Sequence, residues 1–259
     1  MSIYKDLIKW ADKQGDVESP LEPDETPEEA HHPLPGDIPR QLANDLQVLQ
    51  ENTEAILMQK NFKTILITAS VRGEGASTVA ANWARLLARD RMIGLPVDET
   101  EVIGGGVLLI DANLRRPVLH SFFDIDRKRG LTEVLQGELR LDEVLKSAPR
   151  RNLWIITAGK PAVNPADLLG SLLMKGLLDE CRSRFERIIL DSAPVTLYAE
   201  TLALAKQVET AILVVRSGKT RWEVAQSARN QLLKVNTHLL GVVLNQRKFI
   251  IPEWIYRRI

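Results

Sequence analysis

Ile65-Leu66-Ile67-Thr68-Ala69-Ser70-Val71-Arg72-Gly73-Glu74-Gly75-Ala76-Ser77-Thr78 reads as a buried strand running into a glycine-rich turn, with a helix opening at Ser77. Glycines reach positive φ and let the backbone approach a ligand closely. Successive N–H groups then converge on one concavity and bind anions, helped by the positive end of the following helix. This is the phosphate cradle of a nucleotide triphosphate site. Its candidate residues are Gly73, Glu74, Gly75, Ala76, Ser77 and Thr78. The usual pattern ends Gly-Lys-Ser/Thr. Here it ends Gly75-Ala76-Ser77-Thr78, so the backbone cradle and the hydroxyl for Mg2+ are kept while the lysine is absent.

A charged hydrogen bond of that kind is worth roughly 1.5–3 kcal/mol, or about 10- to 100-fold in affinity. Losing an electrostatic donor to a transition state lowers rate by about 10²–10³. Binding therefore survives the alanine better than phosphoryl transfer does. Arg72 is the nearest cation in the chain. It is read as a loop arginine on the outer face, with compensation for the lysine as the alternative.

The 259 residues suffice for one α/β domain plus an extension. A formal net charge of zero gives no basis for nonspecific nucleic-acid binding by bulk charge. The single cysteine, Cys181, excludes an internal disulfide and fits a reducing cytosol; it reads as a buried helical thiol. No signal peptide and no apolar run of about 18 residues is seen, so the chain is not expected to span a membrane by itself.

Four segments follow from the patterning. Residues 1–13 form a short amphipathic segment, with Ile3, Leu7, Ile8 and Ala11 on one side and Tyr4 and Trp10 flanking it. Residues 14–38 form an acidic, proline-rich disordered linker. Its stretch from Gly15 to Asp37 holds eight acidic residues, five prolines and no Lys or Arg. The adjacent His31 and His32 within it are a poor basis for a metal site. Residues 39–248 form the phosphate-loop domain, and 249–259 an aromatic and basic tail. A leading helix spans Pro39 to Asn61, with Leu42, Leu46, Leu49 and Ile56 on one face. Six near-continuous apolar strands follow at Thr64–Thr68, Val107–Asp111, Leu153–Thr157, Ile188–Asp191, Ala211–Arg216 and Leu239–Leu244, as parallel strands covered on both faces require. Helices alternate with them near Thr78–Arg89, Leu131–Leu135, Pro165–Arg184, Leu197–Lys206 and Arg221–Val235, with Asn164 and Thr220 as candidate caps. The expected fold is α/β, a doubly wound, mostly parallel sheet with helices on both faces. Leu95 to Gly106 reads as a surface insertion, because its glycine run precedes a strand rather than a helix.

Two acidic residues end apolar strands, in Val107-Leu108-Leu109-Ile110-Asp111-Ala112-Asn113-Leu114-Arg115-Arg116-Pro117 and in Arg187-Ile188-Ile189-Leu190-Asp191-Ser192-Ala193-Pro194. Carboxylates there can bind Mg2+ or orient its water. With the loop, Asn164-Pro165-Ala166-Asp167-Leu168-Leu169 and Gly241-Val242-Val243-Leu244-Asn245, these pieces resemble the bacterial tyrosine kinases of capsule and exopolysaccharide synthesis, which are similar to the MinD/ParA branch of P-loop ATPases. The resemblance runs from about Lys63 to Asn245.

The resemblance implies ATP/ADP and Mg2+ as cofactors. It gives Ser77 and Asp111 to the metal, Asp111 and Asp191 to catalysis, and Asn245 to the adenine. It implies a membrane-bound polysaccharide co-polymerase or chain-length-determinant protein as partner, and a cytoplasmic location at the inner face of the plasma membrane through that partner. Arg115 and Arg116 resemble the family's basic pair after the second motif. A homo-oligomer and a peripheral membrane contact are open alternatives, and no nucleic-acid partner is expected. Three features depart from the family. Ala76 replaces the lysine, Asn113 stands where a second Asp is common, and the tail lacks a tyrosine cluster, leaving Tyr256 as the candidate phosphoacceptor. No Glu-x-x-Arg-x-x-Arg pattern occurs in Pro39–Asn61, so the family's ring assembly does not carry over by motif. The expectation is a kinase-like, ATP-binding regulatory protein, weak or inactive in transfer. The alternatives are an active tyrosine autokinase and a MinD/ParA-like positioning ATPase. The last of these lacks its signature lysine at Val71-Arg72.

Overall fold

The computed structural model describes residues 38–90, 106–148, 152–235 and 237–247. The amphipathic segment, nearly all of the acidic linker, the insertion up to Gly105 and the tail with Tyr256 lie outside the described residues.

The chain enters through α1 (Arg40–Lys60), which ends where Asn61 adopts a left-handed φ of 53°. Its inward stripe is Leu42, Leu46, Leu49, Thr53 and Leu57, a run of i+3 and i+4 steps. Leu57, rather than the expected Ile56, is the fully buried member of the last turn. Next come β1 (Thr64–Ala69), α2 (Ala76–Asp90), β2 (Val107–Asp111), α3 (Leu119–Phe122), α4 (Leu131–Leu135), α5 (Leu141–Val144), β3 (Lys146–Ser147) and β4 (Leu153–Ile156). The second half carries α6 (Pro165–Leu169), α7 (Leu172–Arg184), β5 (Arg187–Asp191), α8 (Ala199–Ala205), β6 (Thr210–Arg216), α9 (Trp222–Lys234) and β7 (His238–Asn245).

The strands form one sheet in the order β3-β4-β2-β5-β1-β6-β7, parallel throughout except for the antiparallel β3. The doubly wound α/β expectation holds. All of β1, β2 and β5 is buried, as strands covered on both faces must be. Alternate residues feed two cores. Leu66, Leu108, Ile110, Ile188 and Leu190 meet the layer that contains Met174, Leu178 and Cys181. Ile65, Ile67, Leu109 and Ile189 meet α2 and α1 through Trp83, Leu87 and Leu57. At the amino edge a Glu209 carboxylate oxygen accepts from the Lys63 and Thr64 amides, each at 2.7 Å, which pins β1 to the start of β6.

Three expectations are corrected. Strand β3, only two residues long, makes a seventh strand, too short to show any periodicity. The helix expected over Pro165–Arg184 is two helices, because Ser171 restarts it by accepting from the Met174 amide at 3.1 Å. Neither Asn164 nor Thr220 caps a helix by its side chain. The Thr220 hydroxyl is instead engaged by Arg216 N and Glu74.

Candidate nucleotide site

Every candidate described falls at the carboxyl edge of the sheet, where β1, β2, β5 and β7 end. The loop after β1 turns on Gly73 at φ 78° and Gly75 at φ 86°. Gly75 is favoured there by its positive φ, and a Cβ on it would stand 2.3 Å from Asn245 Nδ2 and displace that amide. Ala76 opens α2 and is packed into the apolar core. Ser77 is half-buried and Thr78 exposed.

Glu74, a candidate member of the phosphate cradle, is 1% exposed. Its carboxylate accepts from the Ser70 amide at 2.6 Å, the Val71 amide at 2.9 Å, the Ser70 hydroxyl at 2.8 Å and the Thr220 hydroxyl. Its side chain is thus turned into the fold, and only its backbone amide is left for a ligand. From the far side, Asn245 Nδ2 donates to the Glu74 carbonyl at 2.8 Å and Gln246 Nε2 to the Gly73 carbonyl at 3.3 Å. Asn245 therefore stands against the loop itself, at the end of β7.

Asp111 and Asp191 end adjacent strands in the same register. Both are fully buried. One oxygen of Asp111 accepts from the Val118 and Leu119 amides at 3.1 and 3.0 Å. Its other oxygen and both oxygens of Asp191 receive no hydrogen bond of good geometry, although the Ser77 hydroxyl and the Ser192 amide lie close enough to Asp191 to be felt. Burial pushes the Asp111 carboxyl up to about 7, against the pull of the Leu119, Asn113 and Val118 amides and the Arg127 charge. Burial and then the neighbouring Asp111 charge hold Asp191 well above the usual carboxylate range; Ser77 and Ser192 pull it back only in part. Two such carboxyls cannot both ionise unless a cation joins them. Three orphaned, hard carboxylate oxygens beside the Ser77 hydroxyl suit Mg2+. Asp111 and Asp191 with Ser77 are the residues that would hold it. Among the described residues no group of three or more His, Cys, Asp or Glu side chains is placed to hold a metal ion by itself.

The surrounding cations are where the sequence was least informative. Arg116 is exposed, and its amide donates to Asn113 Oδ1. Arg115 bonds the buried Glu200 at 2.7 Å and lies over the Tyr198 ring, 5.4 Å from its centroid. Arg72 lies 5.5 Å from the same centroid and donates to the Tyr198 hydroxyl. Arg127 holds the Gly159 carbonyl at 2.8 Å and its charge is felt at Asp111. Tyr198, Glu200 and Arg127 carry no sequence signal, except that Glu200 is an acid within an otherwise apolar helix.

A doubly wound sheet with a glycine-rich loop after one strand and a carboxylate pair on the neighbouring strand ends has the fold of the MinD/ParA-like P-loop proteins. Septum site-determining protein MinD of Pyrococcus horikoshii OT3, complexed with Mg-ADP, has this fold: TM-score 0.56, 22% identity, covering 75% of this chain and 76% of that one. The kinase domain of Escherichia coli tyrosine kinase ETK superposes with TM-score 0.71 at 22% identity, covering 81% of this chain and 79% of that one. Tyrosine-protein kinase YwqD of Bacillus subtilis (strain 168) is 32% identical over 202 residues, 78% of this chain and 80% of its own length. The chain belongs to the bacterial tyrosine kinase family. Several other kinases that it matches are longer, and it spans about a quarter of each. No family model matches the chain.

Proposed function

We propose that this protein binds ATP with Mg2+ and acts as a kinase-like regulator of capsule or exopolysaccharide synthesis and export, with weak or absent phosphoryl transfer. The observation that carries the reading is the contrast at the loop. The carboxylate pair and Ser77 keep the metal-binding arrangement, while the lysine position holds Ala76, folded into the core. Bound metal would neutralise charge between the outer phosphates and the carboxylates. The amides of Gly73 to Thr78 would hold the phosphates. Asp111 and Asp191 would hold or release a single proton as the cation leaves or enters. Asn245, at the end of β7, would meet the adenine. A membrane-bound co-polymerase is the partner through which such a protein would act at the inner face of the membrane; family membership supports this.

The second reading is an active tyrosine autokinase using Tyr256. It is favoured by the intact set of Ser77, Asp111 and Asp191, which would hold the Mg2+ that transfer needs. A titration of a fluorescent ATP analogue with Mg2+, on this chain and on Ala76→Lys, tests the reading. Micromolar binding by the unaltered chain without phosphotyrosine on the purified protein supports it. Phosphotyrosine on the unaltered chain moves the conclusion to the autokinase. Absence of binding by both proteins overturns the nucleotide site.

A further inference from the structure

Three connections rise from adjacent strands in the spatial order β2, β5, β1. Each contributes one member of a stack: Arg115 follows β2, Tyr198 follows β5, and Arg72 follows β1. The ring comes from the middle strand, the one that Asp191 ends. One guanidinium lies 5.4 Å from its centroid and the other 5.5 Å. Arg115 is balanced by Glu200, which is almost fully buried. Arg72 has no carboxylate partner among the described residues; its hydrogen bond is to the neutral Tyr198 hydroxyl. The same connection is tied to the loop by the Thr196 hydroxyl, which donates to the Ser70 carbonyl at 2.5 Å. The exposed Arg72 is thus drawn toward the β5 side of the loop, where the carboxylate pair stands.

We propose that Arg72, steadied by Tyr198 and supported by Arg115, supplies the phosphate-binding charge that Ala76 withdraws. This rests on the nucleotide reading and names the residue that makes it work. An arginine fork matches phosphate oxygens and forms stronger hydrogen bonds to an anion than to a neutral hydroxyl. When phosphate arrives, the Arg72 guanidinium exchanges the Tyr198 hydroxyl for a phosphate oxygen and keeps the ring as its support. The charge then comes from the entry arm of the loop instead of from the first turn of α2. Arg72 is a positioning and binding residue in this scheme, and Tyr198 is its rest.

The test is a four-protein cycle on the full chain: unaltered, Arg72→Ala, Ala76→Lys, and the two combined. Each is titrated with a fluorescent ATP analogue and Mg2+, with thermal unfolding as the check that each is folded. If Arg72 stands in for the lysine, Arg72→Ala weakens binding about 10- to 100-fold in the Ala76 chain, the value of one charged hydrogen bond. With lysine restored at 76, the same change has little effect. A purely structural Arg72 would lower both backgrounds equally, and that result overturns the proposal. So does an Arg72→Ala chain that binds as well as the unaltered one. Binding by Ala76→Lys but not by the unaltered chain also overturns it and leaves the nucleotide site standing. Absence of binding by both removes the site itself, and the role of Arg72 with it.

Discussion

Glu74 shows how much one side chain decides at this edge. A carboxylate this buried is tolerated because amide and hydroxyl donors surround it. Removing it strands the fully buried Ser70 amide and the part-buried Val71 amide. Glu74→Ala should lower stability by about 1–3 kcal/mol, read as an earlier urea midpoint with an unchanged m-value. A midpoint within error of the parent would show that water replaces the carboxylate without loss. None of this was legible in the sequence, because the position between Gly73 and Gly75 accepts many residues and nothing marks its side chain as turned inward. Asp111 and Asp191, by contrast, stood out as a pair: one acid ending a strand commonly caps a turn, but two beside a phosphate loop point to a metal. Cys181 was legible too: it is fully buried, and burial pushes its thiol up to about 12, so alkylating reagents should leave the folded protein unmodified.

Among the elements, the strands and even the five-residue α4 were readable, and the shortest pieces were not. Burial on both faces makes β1, β2 and β5 continuous apolar runs, a signal independent of context. The four-residue helices α3 and α5 and the two-residue β3 hold too few residues for any period, and they exist because the tertiary frame fixes them. Lys146 is one such frame. Its ammonium donates to the carbonyls of Asp126, Lys128 and Arg129 and to the Thr157 hydroxyl, gathering the loop that carries Arg127. Lys146→Met should release that loop and speed tryptic cleavage at Arg127–Arg129 while leaving the global unfolding midpoint nearly unmoved. A cleavage rate equal to that of the parent would deny Lys146 this role. The junction of β7 with the phosphate loop has a sharper requirement. Gly75→Ala would drive a methyl into the Asn245 amide at a positive φ, a strain of about 1–3 kcal/mol. Nucleotide binding should fall with it, as titration of the analogue would report. The stack of Arg72, Tyr198 and Arg115 belongs to this scale as well. Its members lie far apart in sequence, and only the strand order brings them together.

For the molecule as a whole, the carboxylate pair links stability to pH and to Mg2+. Both carboxyls titrate higher in the folded state than in the unfolded chain, so the folded protein holds the shared proton more tightly. Their contribution is full below about pH 4; the Asp111 part is lost as pH rises through about 7, and the Asp191 part is lost well above the usual carboxylate range. Above about pH 7 the folded state must hold a buried charge at Asp111 beside Asp191, and Mg2+ should relieve it. The rise in melting temperature on adding Mg2+ should therefore be larger at pH 8 than at pH 5.5. Asp191→Asn should melt higher than the parent at pH 8 without metal and lose the response to Mg2+. Each kcal/mol regained is worth roughly 2–4 °C in a domain of this size. A Mg2+ effect independent of pH would mean that the metal binds elsewhere.

The phosphate loop is fastened on two sides: inward by Glu74 to the turn that follows β6, and outward by Asn245 and Gln246 at the end of β7. Its shape is fixed before any ligand arrives, so a ligand spends none of its binding energy on ordering it. In stopped-flow mixing, the observed association rate should climb in a straight line with nucleotide concentration, with no plateau from a prior rearrangement. Cutting the inward fastening with Glu74→Ala should bend that line over.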